Sequence, residues 1–142
     1  MALPNVNITL GNGNIGSVTL SDDGIAGLIV TGTSVSSTLE LGKAYVISST
    51  ADLKKLGITE ENNPLAYKDI LAFYTSAGDG AELHLLVTGE ENSLTDICSM
   101  EDGSPLKKLI DSAAGHIRLV GININPDEEY EATQTSGIDQ EW

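Results

Sequence analysis

The chain has 142 residues, of which 40% are hydrophobic and only 4% aromatic, and its 21 acidic against 7 basic side chains give a net charge of -14. That length suits one domain whose core is built from Ile, Leu, Val and Ala rather than from rings. The charge argues against nucleic acid and against anionic membranes as partners, because both are bound through Lys/Arg clusters, and no run reaches the roughly 18 apolar residues of a membrane span.

Residues Met1 to Ser21 contain no charged side chain. Within them Val6, Ile8 and Leu10 alternate as in a strand, and Ile15, Val18 and Leu20 follow the turn formers Gly11-Asn12-Gly13-Asn14. Asn and Gly accept the positive φ that hairpin turns need. Residues 1–22 are therefore expected to form an N-terminal β arm or hairpin. Residues 23–122 are expected to form an α/β domain, a mostly parallel sheet with helices on its faces.

In that domain the apolar run Ile25 to Val30 predicts a strand covered on both faces. Thr31 to Ser37 reads as a loop, and Ala44 to Ser48 as a second buried strand. Ser49 or Thr50 can cap a short helix ending before Gly57. Asn63 and Pro64 predict the start of a longer helix, with Ala66, Ile70, Phe73 and Ala77 on its apolar face and Gly78 at its end. Ala81 to Val87 is the third strand. Ser93 opens a helix to Met100, and Ser104-Pro105 opens another through Ala114. Ile117 to Ile122 is the fourth strand. Alternation of strands and helices implies crossovers and parallel pairing. From Asn123 the periodicity stops; residues 123–142 carry Asp127, Glu128, Glu129, Glu131, Asp139 and Glu141 and no basic residue. They are expected to be an irregular tail, cut from a longer chain.

Chemistry-bearing motifs are sparse. Gly11-Asn12-Gly13-Asn14-Ile15-Gly16 has the letters of a dinucleotide loop, but such a loop must open a helix, and Ser17-Val18-Thr19-Leu20 reads as strand. Asp22-Asp23 lacks the alternating acids and distal Glu of a calcium loop. His84 and His116 lie far apart without ligand spacing and are expected to be structural. Cys98 has no nearby His, and its neighbours Ile97 and Met100 favour burial. A lone cysteine and no signal-peptide pattern point to synthesis in a cytoplasm. No catalytic residue, cofactor or metal is expected.

Several blocks resemble, in order, the sheath-like proteins of phage and prophage contractile tails. They are Leu3-Pro4-Asn5-Val6-Asn7-Ile8, Asp23-Gly24-Ile25-Ala26-Gly27-Leu28-Ile29, Leu41-Gly42-Lys43-Ala44-Tyr45-Val46-Ile47, Asp52-Leu53-Lys54-Lys55-Leu56-Gly57-Ile58, Ala66-Tyr67-Lys68-Asp69-Ile70-Leu71-Ala72-Phe73-Tyr74 and Gly115-His116-Ile117-Arg118-Leu119-Val120-Gly121. The resemblance implies a structural, non-enzymatic subunit. It would assemble helically around a tail tube in the bacterial host cytoplasm and reside in the virion tail. Its partners would be other copies of itself, the tail tube protein and a baseplate or tail-terminator protein. Neighbours would be joined by arms that add strands to one another's sheets. Val6, Ile8, Leu10, Ile15, Val18 and Leu20 are then the self-assembly residues. The rival expectation is a nucleotide- or small-molecule-binding module at the carboxyl ends of the strands, and a tail-end adaptor is a variant of the first reading.

Overall fold

A computed structural model describes residues 25–125. The arm expected over residues 1–22 lies outside the described residues, as do the hairpin glycines, Asp22-Asp23 and the acids from Asp127 onward.

The described residues form one four-stranded sheet in the order β2-β3-β1-β4. Strand β1 (Ala26–Thr31) is central and parallel to both β3 (Leu83–Thr88) and β4 (Leu119–Asn123). Its register sets Ala26 opposite both Leu83 and Leu119. Strand β2 (Ala44–Ile47) lies antiparallel on the outer side of β3, Tyr45 opposite Leu85. The sheet is thus mostly parallel, and helices pack on it from both faces, as the alternation of elements implies.

The two faces follow from the period-2 alternation of side chains along a strand. On one, Val30, Leu83, Leu85 and Val87 pack with Ile47, with Leu53 of α1 (Ala51–Leu56) and with Ala66, Ile70 and Tyr74 of α2 (Pro64–Ala77). On the other, Ile29 and Leu86 pack against Ile97 of α3 (Leu94–Cys98) and Leu109 of α4 (Pro105–Ser112). The helical spacing of Ala66, Ile70 and Tyr74 puts all three on one stripe, which is why α2 docks. Tyr74 buries its ring and donates its hydroxyl to the Ala81 carbonyl at 3.1 Å; burial pushes its phenol up to about 12.

Helix ends show where local rules hold and where they yield. Ser93 forms the expected cap and a full capping box, with Asp96 as the returning side chain. Neither Thr50 nor Ser104 caps its helix through its side chain. The Asp52 carboxylate instead accepts from the Ser48 and Ser49 amides at 2.9 and 3.2 Å, and the Ser104 hydroxyl donates to the Ser99 carbonyl. The lysine Lys55, bonded to Asp52 at 2.5 Å, and the Ser48 amide hold that carboxyl down to about 2. Helix α4 stops at Ser112, two residues before the expected Ala114. Ala114 takes φ of 50° and Gly115 φ of 78°, so the chain leaves the helix through two left-handed residues rather than one.

Three expectations need correction. The second strand is not buried: β2 is an edge strand, only Ile47 is buried and Val46 is 59% exposed. An apolar run implies cover on both sides, but a strand with one neighbour leaves part of that run uncovered. The fourth strand begins at Leu119, not Ile117, and runs on through Asn123. The neighbourhood of Cys98 is buried only in part: Ile97 is buried, but Met100 is 69% exposed and Cys98 is half-buried, enough to push its thiol up.

Candidate interaction surface

Two places could serve function: the carboxyl ends of the parallel strands, where ligands of such sheets bind, and the outer edge of β4. The first is closed by side chains. Asn63, 1% exposed, accepts from the Thr33 amide at 2.7 Å and donates to the Thr33 carbonyl at 3.1 Å. A Cβ on Gly32 would collide with the Asn63 amide, so glycine is what lets this amide sit at the end of β1. The Thr31 hydroxyl oxygen accepts from the Asn125 amide at 3.0 Å, and Asn92 donates to the Thr88 hydroxyl oxygen at 2.8 Å. Asn123 donates to Asp69 of α2 at 2.6 Å. These amides and hydroxyls satisfy one another, which is how buried polar groups stay stable.

The one buried histidine is likewise engaged. His84, at the opposite end of β3, has Nδ1 at 3.1 Å from the Ser112 hydroxyl and Nε2 at 2.8 Å from a Glu82 carboxylate oxygen. The Ser112 hydroxyl in turn donates to the Leu109 carbonyl at 2.6 Å. The group fastens the end of α4 to β3. It resembles a catalytic triad in composition only, because the serine proton is committed to a carbonyl and the ring is 3% exposed.

The second place is the outer edge of β4. Among the described residues β4 pairs with β1 alone. Its sequence, Leu-Val-Gly-Ile-Asn, has no charge and no proline. Val120 and Ile122 pack toward α3 and α4, while Leu119 is 71% exposed on the α2 side. Alternate main-chain groups of the strand point away from β1. Edges of this kind are ordinarily blunted by charge, proline or shortness. The two edges are alike in this respect: β2 has four residues and starts directly after Lys43, whose ammonium sits 5.7 Å above the Tyr45 ring, and β4 has five and starts directly after Arg118.

All six sequence-derived assembly residues, Val6, Ile8, Leu10, Ile15, Val18 and Leu20, lie outside the described residues. The site residues that sequence reasoning missed are those of the β4 edge and Asn63. The uncharged run Leu119–Ile122 was a visible signal for the first. Nothing local signalled the second, since Asn63 meets Thr33 across 30 positions of sequence.

Among the described residues the fold is an α/β domain with hydrogen-bonded polar side chains at its strand ends and a β4 that pairs on one side. The chain belongs to the DUF2586, N-terminal domain family, which matches residues 3–138. No curated protein and no solved structure matches it. Among the described residues no helix is long and apolar enough to cross a membrane.

Proposed function

We propose that the chain is part of a structural subunit of a phage or prophage contractile tail sheath, a protein that works by self-assembly around a tail tube. The carrying observation is an uncharged 21-residue lead segment that runs into a strand with no free edge of its own. Both sides of β1 are taken by β3 and β4, so a strand-forming arm would not pair with β1. The ordered resemblance to sheath-like proteins supports the same reading. Over the described residues its blocks fall on β1, β2, α1, α2 and the entry to β4, while the block Leu3 to Ile8 lies outside them. They therefore speak to the fold, and the arm speaks to the use of it. Like charges on an arm oppose stacking, and this arm has none in a chain of -14.

The rival, a nucleotide- or small-molecule-binding module, needs room at the carboxyl ends of the strands. The Asn63 amide occupies that position beside Gly32 and Thr33. A tail-end or baseplate adaptor shares the assembly chemistry and differs in copy number.

Negative-stain electron microscopy of the protein, alone and with its tail tube protein, tests the proposal. Tubes or helical polysheaths are the expected result. Monomers that persist at high concentration under both conditions contradict it.

A further inference from the structure

His84 lies where β3 meets the carboxyl end of α4, with Nδ1 facing the Ser112 hydroxyl at 3.1 Å and Nε2 facing Glu82 at 2.8 Å. Its neighbours decide which atoms donate. The Ser112 hydroxyl oxygen stands 2.6 Å from the Leu109 carbonyl oxygen, a separation two oxygens hold only with a hydrogen between them. A carbonyl has none to give, so the hydroxyl donates. Leu109 also needs that donor: the Ala113 amide, which a continuing helix would direct at Leu109, goes to Ile110 instead. The Ser112 proton is therefore committed, and the ring must donate to the Ser112 oxygen from Nδ1.

A neutral imidazole carries one hydrogen. With that hydrogen on Nδ1, Nε2 would turn a lone pair on the Glu82 carboxylate, itself an acceptor. One further proton between Nε2 and Glu82 converts this repulsion into a charge-assisted bond. The ring is buried, while the Glu82 side chain is 30% exposed and leaves the proton a route to solvent.

The surroundings favour the same proton. The carboxyl end of a helix attracts positive charge, and α4 has no basic residue in its last turn. Opposite His84, β1 places Gly27 and β2 places Val46, neither of them charged. On α4, Asp111 is bonded to Lys107 at 3.0 Å, and the Lys108 ammonium lies beside Gly42. Asp96 of α3 is held in its capping box. His116 and Arg118 follow on the connection into β4.

We propose that Glu82, His84 and Ser112 form a proton-dependent latch: a proton held between Glu82 and His84 fastens the carboxyl end of α4 to β3, and its loss frees that end. The latch stands apart from the assembly reading and survives without it. In an unfolded chain a histidine keeps such a proton only below about pH 6.5. The stability that the latch adds is therefore full below that pH and fades as rising pH strips the pair. What comes free is the turn into β4, where Gly115 donates its amide to Ile110 at 3.1 Å and His116 to Ala113 at 2.9 Å.

Glu82→Gln in the full chain separates a latch from a plain structural contact. A glutamine amide donates to Nε2 without any added proton, so the contact persists and its pH dependence goes. Amide hydrogen exchange at Gly115 and His116 is followed in both chains from about pH 6 to about pH 9, the range that spans histidine titration. The ratio of parent to variant rates cancels the intrinsic pH dependence of exchange and every group that titrates alike in both. That ratio should rise about tenfold across the range, the effect of one unit of linked titration. Nitrogen NMR of the His84 ring in the parent is the second readout, and it should show a hydrogen on Nδ1 at about pH 6. A flat ratio, or a ring whose only hydrogen sits on Nε2, overturns the proposal. If Glu82→Gln fails to fold, the ring spectrum of the parent decides alone.

Discussion

Strands β3 and β4 are both parallel partners of β1, each starting opposite Ala26, yet they live in different surroundings. Every residue of β3 is buried; no residue of β4 is. β3 is covered by α1 and α2 on one face and by α3 and α4 on the other, and β2 closes its outer side. β4 has its inner neighbour, partial cover from the α4 side and nothing paired on its outer side among the described residues. Among the described residues, burial is concentrated on the β3 side of β1.

Substitutions can break that comparison. The largest effect is expected at the center of β3. Leu86→Ala empties space between Ile29, Ile97 and Leu109 and should cost about 2–5 kcal/mol in denaturant unfolding. Next is Asn63→Ala, which strips the Thr33 amide and carbonyl of their buried partner and should cost about 1–3 kcal/mol. If Asn63→Ala were neutral, the strand end would be open to water and the rival ligand-binding reading would gain ground.

A smaller effect sharpens the picture by pH. Asp52→Asn removes the charged acceptor of the Ser48 and Ser49 amides and should cost about 1 kcal/mol at neutral pH, the usual scale of a helix-capping group. The folded carboxyl titrates at about 2 against an ordinary 3.8. Its contribution is therefore complete above about pH 4 and is lost as pH falls through about 2. The gap between parent and Asp52→Asn should close over that window in urea titrations. The smallest effect belongs to β4: Leu119→Ala should stay within about 0.5 kcal/mol of the parent, since its side chain already meets water.

Much of the fold was legible because it is written locally. Asn63-Pro64 and Gly78 bracket α2, and Ser93 marks the start of α3, through short-range geometry. The nearly unbroken run Ile25 to Val30 announced a covered strand, and β1 is the central one. What was not legible depends on distant partners. The runs Ala44–Ser48 and Ile117–Ile122 are mostly apolar, the second interrupted by Arg118, but hydrophobicity does not say how many neighbours a strand has. Both are edges. The antiparallel placement of β2 is likewise set by pairing with β3, which no periodicity records. Asn63 reads as a helix cap by position, yet its side chain is bound to a loop 30 residues earlier and makes no cap bond.

Amide hydrogen exchange along β3 and β4 of the dilute protein tests the contrast between the two strands most directly. Amides of β3 should be among the slowest to exchange, and those of β4 should exchange faster. Equal protection of the two strands would contradict the account.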